Sequence, residues 1–384
     1  MRFSIFHNIG APGRLHEVAD VLDEVRDVAR YADDAGYHSI WYTEHHFGHE
    51  GFELIPNPLL LGVDTAARTS RIRIGQAANI VTFWNPVRLA EDVAMLDQLS
   101  RGRVEVGVGR GLYGREAMNL NPLADPRDQE RNRALFDETL QVLRKAWSGE
   151  FFAHEGQFYS YPALDLRWAH PLSPATPDYI GDDGTITHLK VVPQSYQRPH
   201  PPLWQVIDSS RSIVGAAQAG MGGIFWMPPV SALKGRFELY RDTVAAATGV
   251  EPALGDGLQL VRDVYVADTM EQARADYEEA LLTSYRWICH WRGLGNLREE
   301  GEELTAGQQL DYDFLAERNL LVGTPEYVAE KVAELRDELG LRDLMLWTTH
   351  PGLAHRKAMR SFELFAEKVM PQFADSTAAT GSAA

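Results

Sequence analysis

The sequence has little cysteine and no long hydrophobic run. Cys289 is the only cysteine among 384 residues, which excludes an intrachain disulfide and a multi-cysteine zinc site. No stretch approaches the roughly 18 uninterrupted apolar residues that a membrane-spanning helix needs. The first residues also lack a basic region followed by an apolar run, the pattern of a secretory signal. We therefore expect a cytoplasmic protein that makes no contact with a membrane.

Basic residues are few relative to acidic ones. The chain has 37 lysines and arginines against 54 aspartates and glutamates, a formal net charge of −17. An acidic surface repels phosphate backbones, so nucleic acid is not an expected partner. With 45% hydrophobic residues, the chain can bury a full core, either as two domains or as one large barrel with insertions.

Short β-type segments alternate with helical periodicity from the first residue onward. In residues 17–35, for example, apolar residues fall on one helical face and Gly36 stands just past the end. Such alternation predicts a parallel sheet, and eight repeats predict closure into a (β/α)8 barrel, the TIM-barrel fold of the α/β class. The eight predicted strands are residues 2–6, 38–43, 72–78, 104–108, 203–207, 223–226, 258–266 and 344–347.

Three segments depart from this pattern. Residues 161–202 hold eight of the 20 prolines, which predicts an irregular insertion over residues 162–202. Residues 267–324 follow the seventh strand and combine one helix near 269–284 with a long polar stretch, residues 293–313. A connection of this length is usually a functional lid or a disordered segment, and a surface loop without a role is the alternative. Residues 374–384 are small and polar, which predicts a disordered tail. Residues 1–373 are expected to form a single domain.

The active groups of a parallel barrel lie at the carboxyl ends of its strands. The second strand ends in Glu44, His45 and His46. One histidine is a candidate acid, base or hydrogen-bond donor, although both could be structural. Neighbouring strand residues point to opposite faces, so a metal ion shared by the two histidines is disfavoured. We predict no metal ligands.

Two later strand ends favour a phosphate site. The fourth strand ends in GVGRGLYG, at residues 107–114. This run lacks the third glycine of a dinucleotide fingerprint, and no helix is expected before Asn119. It indicates instead that the backbone approaches a ligand, with Arg110 offering charge to a phosphate. The fifth strand leads into a helix through DSSRS, residues 208–212. This start is either an anion site or a plain helix cap, and Arg110 nearby favours the anion site.

An ordered set of segments resembles the bacterial luciferase-like flavin-dependent monooxygenases, in particular the luciferase α chain. The segments are WYTEHHF (41–47), GQAA (75–78), PVRLAED (86–92), LDQLSRG (96–102), GVGRGLY (107–113), DSSRSIVGAAQAG (208–220) and VGTP (322–325). The resemblance covers nearly the whole chain except residues 162–202 and the tail. It implies the barrel fold and oxygen chemistry on a flavin.

The resemblance also implies roles for matching positions. His45 matches the histidine implicated in catalysis, and Ala77 and Ala78 match a non-prolyl cis peptide beside the flavin ring. The luciferase cysteine beside the flavin is Gly109 here, which argues against light emission but not against oxygen chemistry. The residues around the FMN phosphate are matched by Arg110, Asp208, Ser209 and Ser212.

The activity implied is that of a two-component monooxygenase that uses reduced FMN and O2 on a small organic substrate. No NAD fingerprint is evident, so a separate NAD(P)H:flavin reductase is the expected source of reduced flavin. A luciferase-like homodimer is implied through the early helices, at Leu59, Leu60 and Leu61 and at Met95, Leu96 and Leu99. Five aromatic residues near predicted loops favour an apolar substrate, although they could equally be core residues: Phe83, Trp84, Tyr113, Trp226 and Trp287.

Three alternatives stay open. The deazaflavin F420 could replace FMN, because several relatives of luciferase use it for hydride transfer. A metal-dependent TIM-barrel hydrolase could use His45 and His46 together with carboxylates. A non-catalytic flavin-binding protein is the third possibility, against which the presence of His45 argues.

Overall fold

A computed structural model describes residues 1–173, 175–305 and 307–374. The predicted tail lies outside the described residues from position 375 onward. The strands are β1 Arg2–His7, β2 Ser39–Tyr42, β3 Arg73–Gln76, β4 Asn79–Ile80, β5 Val104–Gly109, β6 His154–Glu155, β7 Ser160–Tyr161, β8 Leu203–Val206, β9 Gly222–Trp226, β10 Leu258–Val266, β11 Leu320–Gly323 and β12 Asp343–Trp347. The α-helices are α1 Val18–Ala35, α2 Pro58–Arg68, α3 Pro86–Ser100, α4 Gly114–Leu120, α5 Gln129–Trp147, α6 Ser210–Gln218, α7 Val230–Thr248, α8 Met270–Arg292, α9 Tyr312–Ala316, α10 Pro325–Leu339 and α11 His355–Leu364.

Within the described residues, eight parallel strands close into a ring. Their order is β1-β2-β3-β5-β8-β9-β10-β12, and β12 pairs with β1 to complete the circle. Every strand of the ring was predicted from the sequence, so the predicted α/β TIM barrel is confirmed. Two short strands extend the same sheet, since β4 pairs with β5 and β11 pairs with the end of β10.

Local sequence explains where several helices begin. Asn57 caps α2 and Asn85 caps α3, each accepting a backbone N–H from the first turn, and each is followed by a proline at the first helical position. Such a proline loses no helical hydrogen bond and has its φ already set for the helix. The VGTP segment works in the same way, because Thr324 caps α10 immediately before Pro325.

Two tryptophans fill the barrel interior by occupying the space beside glycines of neighbouring strands. A Cβ built on Gly75 would lie 2.2 Å from the Trp41 ring, and one on Gly222 would lie 2.2 Å from the Trp204 ring. The two rings pack edge to face, with centroids 6.1 Å apart. Each tryptophan ring fills the space that a side chain on the neighbouring glycine would need, and this gives the interior its close packing.

The described part of residues 162–202 contains no helix and no named strand. A two-stranded antiparallel pair, β6 and β7, precedes it, and its own pairing in the described part is limited to single bridges such as Arg167 with Thr185. Several of its apolar side chains are exposed, among them Leu164 at 87% and Leu172 at 88%. The segment therefore adds surface to the barrel and little to its core.

The insertion after β10 is more ordered than the sequence predicted. Helix α8 runs to Arg292, eight residues beyond the predicted end, because Tyr285, Ile288 and Cys289 continue its buried face. The insertion also contains α9 and β11, a strand that the prediction missed because its apolar run has only four residues, Leu320–Gly323. The polar part of the insertion thus lies between two elements that pack on the barrel.

No helix in the described ranges is both long enough and apolar enough to cross a membrane.

Helices α2 and α3 pack on each other and present apolar side chains outward. Leu60 is 68% exposed, Met95 49% and Leu99 55%, whereas Leu59, Leu61 and Leu96 are buried in the core. Half of the residues predicted for a dimer interface are therefore unable to contribute to one. The exposed half forms a ridge of the kind that marks protein–protein interfaces.

We predict that the protein is a homodimer through Leu60, Met95 and Leu99. Replacing Leu60 and Leu99 together with Glu should give a monomer in sedimentation velocity, because two buried charges per subunit would face each other across the interface. Leu164→Glu changes a still more exposed leucine in the segment at residues 162–202 and should leave the dimer intact. A monomeric parent protein at micromolar concentration would refute the prediction.

Candidate functional site

His45 lies at the carboxyl end of β2, between two buried carboxylates. Its Nδ1 is 3.3 Å from Oε1 of Glu116, and its Nε2 is 3.4 Å from Oε1 of Glu53. Glu53 is 5% exposed and Glu116 is 1% exposed. Glu53 also accepts hydrogen bonds from the Tyr113 hydroxyl, at 3.1 Å, and from the Trp287 indole, at 3.4 Å. Because each ring nitrogen of His45 contacts a carboxylate, the imidazole is held in one orientation.

The two carboxylates change the acidity of His45. Burial lowers the pKa of a histidine because it disfavours the charged ring, but here the negative charge of Glu53 and the hydrogen bond to Glu116 outweigh burial. The pKa of His45 is therefore raised above its ordinary value. The ring holds a proton at a pH where an unperturbed histidine would have lost it.

Glu53 and Glu116 were not among the site residues predicted from the sequence. Glu116 lies on α4, a helix that begins at Gly114 although none was expected before Asn119. Glu53 lies in the loop between β2 and α2, where no periodicity or motif marks it. A buried carboxylate is recognisable only once its burial is known, because a glutamate in a loop is normally solvent-exposed.

His46 has a different environment from His45. Its Nε2 is 3.1 Å from Oε1 of Glu44, which is 1% exposed, and the same carboxylate accepts the Ile80 amide at 2.8 Å and the Trp84 indole at 3.0 Å. The two histidines thus point to different partners. His46 belongs to a structural network that ties β2 to the segment after β3.

That segment contains the peptide bond predicted to be cis. The bond between Ala77 and Ala78 is cis in the structure, as the resemblance implied, and both residues are buried. The Ala77 amide donates to the carbonyl of Tyr42 at the end of β2. The cis peptide therefore lies at the carboxyl end of the barrel, a few residues from the Glu44 carboxylate.

Two glycines of GVGRGLYG pack against protein. A Cβ on Gly107 would lie 1.8 Å from the carbonyl oxygen of Gln76, and one on Gly109 would lie 3.2–3.3 Å from Ile80 and Ala78. These two glycines let β5 approach the segment that carries the cis peptide, whereas a Cβ on Gly114 would meet no described atom within 4 Å. Gly111 has φ of +84°, a left-handed conformation that favours glycine.

Arg110 lies in a cluster of cations. Burial, followed by the positive charges of Arg133 and Arg211, lowers the pKa of Arg110, and Asp137 opposes this effect. One terminal nitrogen of Arg110 donates to Oδ1 of Asn132 at 2.8 Å. The Nε of Arg133 is buried and has no acceptor among the described residues. Arg211 is paired with Glu130 at 2.8 Å, so Arg110 and the unpaired Nε of Arg133 are the donors that this region offers to an anion.

The start of α6 forms a complete cap. The Ser209 side chain accepts the Ser212 amide, and the Ser212 hydroxyl in turn accepts the amides of Asp208 and Ser209. The Asp208 carboxylate pairs with Arg236 at 3.1 Å and accepts from Asn296 of the insertion at 2.9 Å. Arg211, in the first turn of this helix, pairs with Glu130 of α5 at 2.8 Å, and Arg110 contacts Asn132 of the same helix. The two segments that the sequence predicts for a phosphate site therefore both contact α5.

Aromatic side chains line the barrel mouth. Trp347 packs with Trp226 at 5.3 Å between centroids and with Phe6 at 5.4 Å, and this cluster also contains Ala77 of the cis peptide. The indole nitrogens of Trp226 and Trp347 are buried and lack acceptors in the described part of the chain. Because an unpaired buried donor costs about 1–3 kcal/mol, each of the two indoles is a candidate donor to a bound molecule.

Of the other aromatic residues predicted to line a pocket, Tyr113 and Trp287 contact Glu53, as described above, and Trp84 binds Glu44. Phe83 packs edge to face on His46, with centroids 5.9 Å apart. In residues 1–173, 175–305 and 307–374, no group of three or more histidine, cysteine, aspartate or glutamate side chains is arranged to hold a metal ion.

Comparison of sequences identifies relatives along the whole chain. The family model described as luciferase-like monooxygenase matches residues 1–343. The oxygenase component of the flavin-dependent trigonelline monooxygenase of Acinetobacter baylyi is 25% identical over 392 residues, covering 98% of this chain and 96% of that protein. The predicted resemblance is confirmed.

Solved structures share the fold over the same length. Monooxygenase RslO1 from Streptomyces bottropensis superposes with a TM-score of 0.78 at 26% identity, over 97% of this chain and all of that one. The oxygenating constituent of the Pseudomonas putida 3,6-diketocamphane monooxygenase, a type II Baeyer–Villiger enzyme in complex with FMN, gives 0.77 at 23% identity, with 97% and 98% covered. An F420-dependent secondary alcohol dehydrogenase gives 0.65 at 16% identity, with 97% and 99% covered.

The family match over residues 1–343, the closed barrel and the ordered motifs agree with one another. The chain belongs to the luciferase-like monooxygenase family, whose enzymes are flavin-dependent.

Proposed function

We propose that this chain is the oxygenase component of a two-component monooxygenase that uses reduced FMN and O2 on a small organic substrate. The observation that carries the proposal is that Arg110, at the end of β5, and Arg211, at the start of α6, both contact the first turn of α5, at Asn132 and Glu130, near Arg133. They lie at the same end of the barrel as His45 and the Ala77–Ala78 peptide. This arrangement offers one phosphate site beside one aromatic-lined mouth. It suits a flavin mononucleotide.

The residues present fit FMN in two respects. The unpaired Arg133 Nε and its neighbours would hold the phosphate, with Ser209 and Ser212 at the start of α6. The Trp347 indole, beside Ala77, would donate to a ring carbonyl. Reduced FMN, when bound, supplies the two electrons with which one atom of O2 enters the substrate and the other leaves as water.

The protein's own part is to position groups and exclude water. The Trp226–Trp347 cluster keeps the mouth apolar, which protects a reactive cofactor from solvent. His45, with its raised pKa, holds a proton on a ring nitrogen that Glu53 and Glu116 keep in place. We propose that His45 is the group that donates or positions this proton for the substrate.

We further propose that the polar part of the insertion, between α8 and α9, covers the site. Asn296 donates to Asp208 at the start of α6, and the Glu300 amide donates to Ser231 at the start of α7. These two contacts hold the polar segment over the barrel face that carries the cation cluster. A covering of this kind completes the exclusion of water during turnover.

A separate NAD(P)H:flavin reductase is the proposed source of reduced FMN. Two considerations support this partner. The glycines of GVGRGLYG lack the spacing of a G-x-G-x-x-G fingerprint, and Gly107 and Gly109 of β5 pack against protein. The relative from Acinetobacter baylyi is itself described as an oxygenase component.

We predict that Arg110→Ala weakens the binding of FMN by about tenfold or more and leaves riboflavin binding nearly unchanged. A charge-assisted hydrogen bond to phosphate contributes about 1.5–3 kcal/mol, and 1.4 kcal/mol corresponds to about tenfold in affinity. Titration by flavin fluorescence measures both ligands. Arg88→Ala, at an exposed arginine on α3, is the matched control.

Equal losses for FMN and riboflavin would place the phosphate elsewhere. The same titration with F420 separates the cofactor alternatives, since tighter binding of F420 than of reduced FMN would overturn the monooxygenase proposal in favour of hydride transfer.

We predict that the acid–base behaviour of His45 depends on Glu53. In NMR titrations the His45 ring should lose its proton above the ordinary value of about 6.5, and Glu53→Gln should lower the pKa of His45. The raised pKa stabilises the fold fully below about pH 6.5, and this stabilisation is lost as the pH rises through the pKa of the folded state. Unfolding measured against pH for the parent and for His45→Gln would test the second point.

We predict that His45→Ala lowers product formed per O2 consumed while FMN still binds. A positioned acid–base group contributes about 10²–10⁴-fold in rate, and the unproductive oxygen should appear as peroxide. His46→Ala is the control, and it should reduce thermal stability through loss of the Glu44 network instead. Unchanged coupling in His45→Ala would remove His45 from the mechanism.

A further inference from the structure

Arg292, the last residue of α8, has no partner in the described part of the chain. Its Nε is buried without an acceptor, and no carboxylate lies within ion-pair distance of its guanidinium group. Arg274 on the same helix differs, because it pairs with both Glu278 and Asp313. Since a partly buried charge without a counterion is costly, such arginines mark places where an anion binds.

The surroundings of Arg292 are aromatic. Its guanidinium carbon lies 5.5 Å from the centre of the Trp226 ring. Its charge also opposes the effects of burial and of Glu53 on the pKa of Tyr113, so it lies near the phenol. Tyr113 in turn packs on Trp291 at 6.3 Å between centroids. The guanidinium group therefore lies over the Trp226 ring at the edge of the barrel mouth, near Tyr113.

A second unpaired donor lies in the same contact. The indole nitrogen of Trp226 is buried and has no acceptor among the described residues. The guanidinium fork matches the two oxygens of a carboxylate, and the indole offers one further hydrogen bond. The donors and the aromatic faces together match a planar molecule that ends in an anionic group.

The charge of that group is limited by the other side of the mouth. Glu53 accepts a hydrogen bond from the Tyr113 hydroxyl, and Glu116 contacts the His45 ring. Two negative carboxylates near a single free arginine disfavour a dianion such as a phosphate. A monoanion, held at Arg292 and away from Glu53, is the better electrostatic match.

We infer that Arg292 binds the carboxylate of an aromatic substrate, with the ring against Trp226 and Tyr113. That the bound molecule is the substrate rests on the proposed function. The binding of an aromatic carboxylate at Arg292 does not depend on flavin. The substrate would then combine an apolar ring, which the aromatic lining of the mouth favours, with one charged end. It also makes Arg292 a specificity residue.

The test measures binding of 2-naphthoate and of the neutral 2-naphthamide by calorimetry, to the full chain without flavin. The parent should prefer the carboxylate by about tenfold or more, as expected for a charge-assisted pair. Arg292→Met should abolish the preference and leave the amide affinity nearly unchanged, and Arg292→Lys should retain part of it. Thermal unfolding of both variants checks that they fold.

Arg286→Met is the matched control. Arg286 is an exposed arginine on the outer side of the same helix, where it lines a shallow groove with Phe52 and Trp287. If Arg286→Met removed the carboxylate preference, the ligand would lie in that outer groove and the inference would be wrong. Equal affinity of the parent for the two probes, or a preference kept by Arg292→Met, would also overturn it.

FMN titrations separate this inference from the proposed function. Arg292→Met should change FMN affinity by less than about twofold, because the phosphate cluster is distinct from Arg292. A loss of FMN affinity as large as the loss of carboxylate affinity would assign Arg292 to the cofactor and overturn the inference. A parent that binds no FMN but keeps an Arg292-dependent preference for the carboxylate would refute only the proposed function.

Discussion

The buried carboxylate of Glu44 is the interaction on which the rest of the site depends. It joins three groups from different parts of the chain: the Ile80 amide, the Trp84 indole and the His46 ring. Because a charged group that is 1% exposed must be fully paired, these bonds hold the end of β2 against the segment after β3. His45 follows Glu44 directly and the Ala77–Ala78 peptide precedes Ile80, so one carboxylate positions both.

Around this anchor, charge is separated across the barrel mouth. Carboxylates surround His45, whereas Arg110 and its neighbouring arginines form a cation cluster beside α6. In a chain with a net charge of −17, a group of arginines at one place is a local departure from the general field and attracts anions there. The aromatic cluster that contains Trp347 lies on the same face and keeps water from weakening either group.

The sequence alone was sufficient for the barrel and for the positions of the predicted site residues, because strand ends converge on one face of a parallel barrel. It was not sufficient for partners that are defined only by burial. Glu53 has no motif around it, and Arg133 lies on a helix where an arginine is normally an exposed residue. The sequence does not show which atoms lie beside a glycine, so it could not reveal that Gly107, within β5, packs on Gln76.

The pairs of tryptophan and glycine inside the barrel constrain how this sequence can diverge. At Trp41 with Gly75, and at Trp204 with Gly222, the ring fills the volume that any side chain on the partner strand would need. A single substitution on the glycine side forces a collision, and one on the tryptophan side leaves a void. A change at one position of a pair is therefore tolerated only with a compensating change at the other, although the two positions are distant in sequence.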